Sequence, residues 1–309
     1  MRCQADSHAT IVANWSFTSL ATKPIAMAVA LLPLVVALLL STLHAQEQSQ
    51  PKSADELLVA AAEAFNAGRR DEALALAGQA IAADAKNLRA RALRARMYSR
   101  LGRHAEAVGD LDEAIKLNPK AAELYNERGA EQFKAGKIEA SIADFDKYIA
   151  LAPDKERGHW QRGISYYYAG RYDQGIKQFE GYQSVDDNDV ENAVWRYLCM
   201  ARKEGVDKAR QTILKIKNDP RVPMMQVYAL YAGKAKPDDV LAAAQAGEPK
   251  PPELNSRLFY AHLYLGLYYE AAGDKERAQE HIAKAADEHR IGHYMWDVAR
   301  VHAQRLRGK

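Results

Sequence analysis

The sequence predicts an all-α chain wound as a right-handed α-solenoid of helix–turn–helix units, and three observations carry that prediction. Glycine returns every 34 residues, at Gly68, Gly102, Gly136 and Gly170. Small and apolar residues return in register around each of them. The composition is dominated by Ala, Leu, Glu, Lys, Arg and Gln, the strong helix formers, and is poor in strand and hairpin signals.

The chain has 309 residues, 48% apolar and 27% charged, with a net charge of +3. These values describe an ordinary globular protein and give no reason to expect nucleic acid as a partner. Of the two cysteines, Cys3 lies ahead of the expected export signal, which leaves Cys199 as the one thiol of a processed chain. That excludes an internal disulfide and a cysteine-based zinc site. Cys199 sits in an apolar stretch, Val194 to Met200, where a free thiol is expected to be buried.

Residues 1–45 read as a signal peptide. Lys23 precedes an apolar run from Ile25 to Leu40, broken only by Pro33, and Ser41 to Ala45 lead into the polar stretch Gln46 to Gln50. Cleavage is expected after Ala45, with Met27 as an alternative start that would lose Lys23. The run is shorter than the roughly 20 residues that span a bilayer, so a periplasmic or secreted chain is expected over one anchored by an uncleaved segment. No cysteine stands directly behind the run to take a lipid. The competing reading, a buried helix of a cytosolic protein, lacks the period of a packed helix. Residues 46–53 form a linker.

Residues 54–187 hold four repeats. Seven before each glycine stand Ala61, Ala95, Gly129 and Gly163; five after stand Ala73, Ala107, Ser141 and Gly175. Nine after come Ala77, Leu111, Phe145 and Phe179, and seventeen after come Ala85, Pro119, Pro153 and Asp187. Small residues let two helices approach, glycine turns the chain, and proline closes the second helix. The segments from Gly102 to Val108, Leu117 to Pro119 and Arg162 to Tyr172 resemble the tetratricopeptide repeat, a 34-residue helix–turn–helix. One hairpin cannot bury its apolar face alone, so neighbours must stack.

Beyond Asp187 the register decays. Residues 188–252 are expected to be degenerate repeats, with helices over Val190 to Lys203, Asp207 to Asn218, Val227 to Gly233 and Asp238 to Gln245. Gly247 to Pro252 reads as a stiff connector. Residues 253–309 hold a last repeat, with Phe259 to Gly273 as its first helix and Ala278, Ile282 and Ala285 in place, capped by a helix from Met295 to Arg307. The degenerate helices, the segment Tyr231-Ala232-Gly233-Lys234 and the tyrosine-rich last repeat look like the new lipoprotein I family of envelope proteins. That resemblance covers roughly residues 55–300 by architecture. It implies a periplasmic dimeric adaptor bringing a protease and cell-wall hydrolases together. The chain departs from that family in lacking the lipidation cysteine.

By the geometry of tetratricopeptide arrays, the residues thirteen, ten, six, three and two before each glycine face the concave side. They are Arg89, Ala92, Arg96, Ser99 and Arg100, then Glu123, Asn126, Ala130, Phe133 and Lys134, then Arg157, Trp160, Ile164, Tyr167 and Tyr168. The groove so defined is basic at one end and aromatic at the other, and suits a peptide carrying acidic groups. The alternative is that the arginines form a solvated stripe and the aromatics pack between repeats. Ala92 and Ala130 occupy places where the two-carboxylate clamp known in this fold needs polar groups, which excludes that subtype.

Catalysis finds no footing. There is no HExxH, GxSxG or GxxxxGK[ST] sequence. His289 and His293 are spaced to share a helix face, but Gly292 lies between them and no third metal ligand is placed. Asp186-Asp187 and Asp238-Asp239 fall where aspartates cap turns and helices. The expectation is a non-catalytic protein-binding scaffold without cofactor or metal. The alternative is a homo-oligomerisation module, its dimer face built from Tyr264, Tyr268, Tyr269, Tyr294 and Trp296. A competing account has these aromatics sealing the last repeat against its cap.

Overall fold

The computed structural model describes residues 53–308; the expected signal peptide, its cleavage site and all but the last residue of the linker lie outside the described residues. Ser53 opens the first helix with a reciprocal cap. Its Oγ accepts the Glu56 N–H at 3.2 Å while the Glu56 carboxylate accepts the Ser53 N–H at 2.7 Å. Four antiparallel pairs follow: α1 (Ala54–Asn66) with α2 (Arg70–Ala83), α3 (Leu88–Arg100) with α4 (His104–Leu117), α5 (Ala122–Lys134) with α6 (Ile138–Leu151), and α7 (Trp160–Tyr168) with α8 (Tyr172–Tyr182).

Each pair is joined by the same turn. The four glycines have φ of 80°, 73°, 77° and 73°, a left-handed conformation that costs an L side chain strain. The following N–H then reaches back five residues, from Arg69 to the Ala64 carbonyl, Arg103 to Tyr98, Lys137 to Gln132 and Arg171 to Tyr166, at 2.8–2.9 Å. This closure satisfies carbonyls that a helix end leaves free.

Across each hairpin one pair of positions makes the closest approach, and its two members compensate in size. A Cβ built on Gly129 would lie 2.8 Å from Phe145 Cδ1; one on Gly163 would lie 2.6 Å from Phe179 Cζ. The equivalent positions of the first two repeats hold Ala61 with Ala77 and Ala95 with Leu111, all buried. Where the second helix carries alanine or leucine the first tolerates alanine; where it carries phenylalanine only glycine fits.

A second 34-residue register joins neighbouring repeats. Arg94 Nε and Nη2 each donate to Asp110 at 2.7 Å. Arg128 grips Asp144 of its own repeat through Nε and Nη2 and donates from Nη1 to Asp112 of the preceding one at 2.6 Å. Arg162 does the same with Gln178 and Asp146, and Arg196 with the Thr212 carbonyl and Glu180. These bonds satisfy Asp110, Asp144 and Gln178, each only 5% exposed.

The second half contains α9 (Val190–Glu204), α10 (Val206–Gln211), α11 (Met224–Tyr231), α12 (Pro237–Gln245), α13 (Pro251–Ala271), α14 (Lys275–Ala283), a π turn over Lys284–Glu288, and α15 (Tyr294–Leu306). The helix expected to run to Asn218 stops at Gln211. Arg196 takes the Thr212 carbonyl that the next helical turn would need, and the Ile216 N–H faces the Tyr228 hydroxyl instead. The segment that follows is pinned to the start of α9. Arg221 donates to Asp189, Glu191 and Asp219 at 2.6–2.7 Å, and Asp219 accepts the Val190 N–H. The expected connector is also shorter, because Pro251 and Pro252 occupy the first turn of α13, where a missing N–H costs nothing.

Residues 188–252 and 253–309 share one core. A single cluster of buried side chains runs from Phe133 through Trp195, Tyr231 and Tyr264 to Ala303. The Tyr231 hydroxyl donates to the Tyr264 carbonyl at 2.8 Å, and Cys199 is fully buried against Gly175. The last hairpin, α13 with α14, repeats the close-packing rule: a Cβ on Gly266 would lie 2.6 Å from Ile282 Cγ1.

Gly163→Ala is expected to cost about 1–3 kcal/mol in urea unfolding, because the added methyl has no room against Phe179. Phe179→Leu in the same chain should recover part of that loss, whereas Phe179→Leu alone should destabilise. Additive losses in the double variant would show that the two positions are not coupled.

A second expectation concerns acid. Burial holds His159 and His262 down to about 4, His262 also feeling His281 and His289. Both stay neutral in the folded chain while the unfolded chain gains protons, so stability should fall as pH drops from about 6.5 to 4. Asp189, raised to about 6 by burial and by Glu191, works in the opposite sense over the same window and offsets part of the loss. His281, His289 and His293, also held down by burial, add to the loss, so we expect stability to fall on balance between pH 7 and 4. Thermal melts across that range should show it, and His159→Gln with His262→Gln should flatten the profile.

Candidate functional site

The first helices of three consecutive repeats, α1, α3 and α5, line one open concavity of about 750 Å³. Its apolar surface comes from Leu58, Val59 and Ala62 on α1, Leu88, Ala92 and Leu93 on α3, and Ala121 and Leu124 at the start of α5. Val59 is 60% exposed, a large apolar side chain left in solvent. The polar rim consists of Arg89 facing Asp55 at 3.7 Å, Arg96 bonded to Glu127 at 2.5 Å, and Glu123.

Arg89 and Arg96 are the two of the ten expected binding residues that line this groove. Each stands opposite a carboxylate, so the groove is apolar with a paired rim and not basic as the sequence suggested. Arg100, the last residue of α3, is exposed and lies 5.9 Å from the Phe65 ring, facing a different cavity. Asn126 is half-buried and bonded through Oδ1 to His159 at 3.0 Å. Arg157 precedes α7 and faces a depression shared with Arg162, Tyr166 and Gln178, between the turn and α8.

The aromatic end is occupied by the chain itself, because α15 packs across it. Phe133 is fully buried between Tyr168 and Tyr294, with ring centroids 5.4 and 5.5 Å apart. Trp160 meets Tyr294 edge-on at 5.4 Å and stacks near His293. Tyr167 is buried with its hydroxyl 3.3 Å from Glu270, and Tyr168 shares a hydrogen bond of 2.9 Å with His302 Nδ1. Burial works against ionisation of Glu270, but His302 and Arg202 hold its carboxyl down to about 2. Lys134 is tied to Glu131 at 2.7 Å and faces Asp297 at 3.9 Å.

Two arginines of α15 explain why it seats there. Arg300 donates to the Lys134 carbonyl at 2.7 Å and Arg305 to the Tyr168 carbonyl at 2.8 Å. Lys134 and Tyr168 are the last residues of α5 and α7, so each guanidinium caps a helix end that carries partial negative charge.

The sequence reading missed α1. The same offsets counted back from Gly68 select Asp55, Leu58 and Ala62, all of which line the groove. The seating of α15 had no local signal, since its partners lie 134 to 196 residues away.

The other candidate chemistry does not assemble. His289 follows the π turn and stacks on His262 at 5.4 Å, while His293 caps α15, so the two share no helix face. Among the described residues no group of three or more His, Cys, Asp or Glu is placed to hold a metal ion. Asp186 and Asp239 accept the backbone N–H groups of Asn188 and Lys236, as capping aspartates do. Of the aromatics expected at a dimer face, Tyr264 is buried, Tyr294 covers Phe133 of the third repeat, and Trp296 donates to the Ala286 carbonyl at 2.9 Å. Among the described residues no helix is long and apolar enough to cross a membrane.

Comparison with known proteins agrees with this architecture. Residues 58–115 and 98–156 match the tetratricopeptide repeat family. A solved tetratricopeptide repeat protein from Parabacteroides merdae superposes with a TM-score of 0.54, at 16% identity, over 84% of this chain and 100% of its own. The MamA protein gives a TM-score of 0.48 at 19% identity over 59% of this chain and 92% of its own. The first such domain of Spaghetti, solved with an HSP90 peptide, gives 0.31 at 31% identity over 33% of this chain and 80% of its own. No curated protein matches the chain. The chain carries tetratricopeptide repeats over residues 58–156, and its fold is that of a tetratricopeptide-repeat solenoid.

Proposed function

We propose that this chain is a non-catalytic protein-interaction scaffold whose receiving surface is the groove of α1, α3 and α5. One observation carries the reading: three consecutive repeats leave an apolar concavity of about 750 Å³ open, with Val59 exposed in it. Extended concave faces are the surfaces that stacked repeats offer to partners. A helix or extended segment with an apolar face would cover Val59 and Leu93 and meet the charged rim at Arg89, Arg96 and Glu123.

The setting we propose is the periplasm or cell envelope, supported by the signal-like stretch from Lys23 to Ala45. The resemblance of the second half to the new lipoprotein I family supports an adaptor joining a protease to cell-wall hydrolases.

The test is a crosslinked pull-down from the envelope fraction, with identified partners re-measured pairwise against the purified chain. Val59→Arg with Arg89→Glu places charge in the apolar floor and reverses one rim position without touching the core. We expect a protein partner whose affinity falls at least about tenfold with this variant, as for loss of a central contact. Equal capture by both chains would remove the groove from the account.

A further inference from the structure

Arg100 and Lys134 open onto a second cavity, of about 690 Å³, between the turn joining α3 to α4 and the segment leading into α15. Arg70, Arg290 and Arg300 also line it, against the single carboxylate of Asp297. Many other arginines of this chain are matched: the arginine register grips carboxylates, and Arg221 holds three of them. Here they are not. Among the described residues Arg70, Arg100 and Arg290 have no carboxylate within ion-pair distance, and all three are exposed.

These three arrive from α2, α3 and the loop after the π turn. Like charges so gathered repel one another, and folding gains no buried carboxylate from any of the three. Two are also pre-set for a ligand: Arg290 lies 4.6 Å above the Trp296 ring and Arg100 lies 5.9 Å from that of Phe65. A ring against a guanidinium restrains it while leaving its N–H groups free for a planar anion.

The cavity continues the groove. On α3, Arg89, Leu93 and Arg96 face the groove, and Ser99 and Arg100, one turn further on, face the cavity. Its volume is far larger than a single inorganic anion, and Tyr294 and Trp296 give it apolar wall. We propose that this cavity binds a carboxylate-rich segment of a protein partner whose neighbouring apolar stretch lies in the groove. The continuity rests on the groove reading, but the anion site stands on its own charges.

The experiment measures binding of a fluorescein-labelled hexaglutamate peptide to the full chain by anisotropy, with hexalysine as control. Hexaglutamate should bind, more weakly at raised salt, and hexalysine should not. Arg70→Gln, Arg100→Gln and Arg290→Gln together should weaken it at least about tenfold. The same three positions as lysine should retain binding, which separates lost charge from lost structure. No hexaglutamate binding, or binding unmoved by the glutamine variant, overturns the proposal. Tighter competition by inorganic phosphate or by anionic lipid vesicles overturns the carboxylate assignment in favour of phosphate. If the pulled-down partner needs the groove but ignores the glutamine variant, the groove reading stands and this inference falls.

Discussion

The closest approach between the two helices of each hairpin is the constraint on which this chain rests. In the third, fourth and last hairpins it is so tight that the first helix carries glycine opposite Phe145, Phe179 or Ile282. A glycine inside a helix costs about 1 kcal/mol against alanine, so these positions give up propensity for packing. In return an aromatic ring or a branched chain lies flat on backbone, and the two helices behave as one slab with two apolar faces. Stacking of slabs follows from those faces, and the arginine register then satisfies the carboxylates that stacking buries. The order matters: a guanidinium grips carboxylates of two repeats only because the slabs already sit one 34-residue step apart.

Charge is distributed by the same logic, and its exceptions are informative. Carboxylates within the hairpins, such as Asp110 and Asp144, are almost fully buried and bonded to arginine. Along the groove Arg89 and Arg96 face acids and leave an apolar floor exposed. Positive charge without an answering carboxylate gathers at the turn after α3, where it cannot be put down to burial. Apolar contact and electrostatic selection are thereby placed on adjacent stretches of one helix. A partner would be held by the first and chosen by the second.

Much of this was legible in the sequence, and what was not has physical causes. The turn glycines and the small residues seven before them were visible because backbone handedness and steric closeness admit few residue types. The arginine register has the same period, at Arg94, Arg128, Arg162 and Arg196, but a surface-type residue repeating among many arginines does not stand out. It persists one unit further than the glycines, which is why α9 stacks in step although the pattern around it decays. Helix ends fared worse: α10 stops at Gln211 because Arg196, a tertiary partner, takes the Thr212 carbonyl. The aromatic half of the expected groove misled because groove walls and hydrophobic cores ask for the same residues. Offsets alone placed Phe133, Tyr167 and Tyr168 on the inner face, and α15 arrived from the far end of the chain to cover them.

That arrival changes how the array can come apart. A linear stack of repeats loses order from either free end, one unit at a time, because each unit touches only its neighbours. Here the final helix is bonded back to α5 and α7, so the units from α5 onward form a loop of contacts without a loose terminus. Peeling α15 away exposes Phe133 and Tyr168 and uncaps two helices at once, which ties its departure to the loss of the whole loop. Among the described residues, the pairs α1–α2 and α3–α4 stand largely outside it and can loosen one unit at a time. The groove is built across that boundary, from two helices free to loosen and one that is held, so a partner seated in it would extend the cooperative unit to the start of the array.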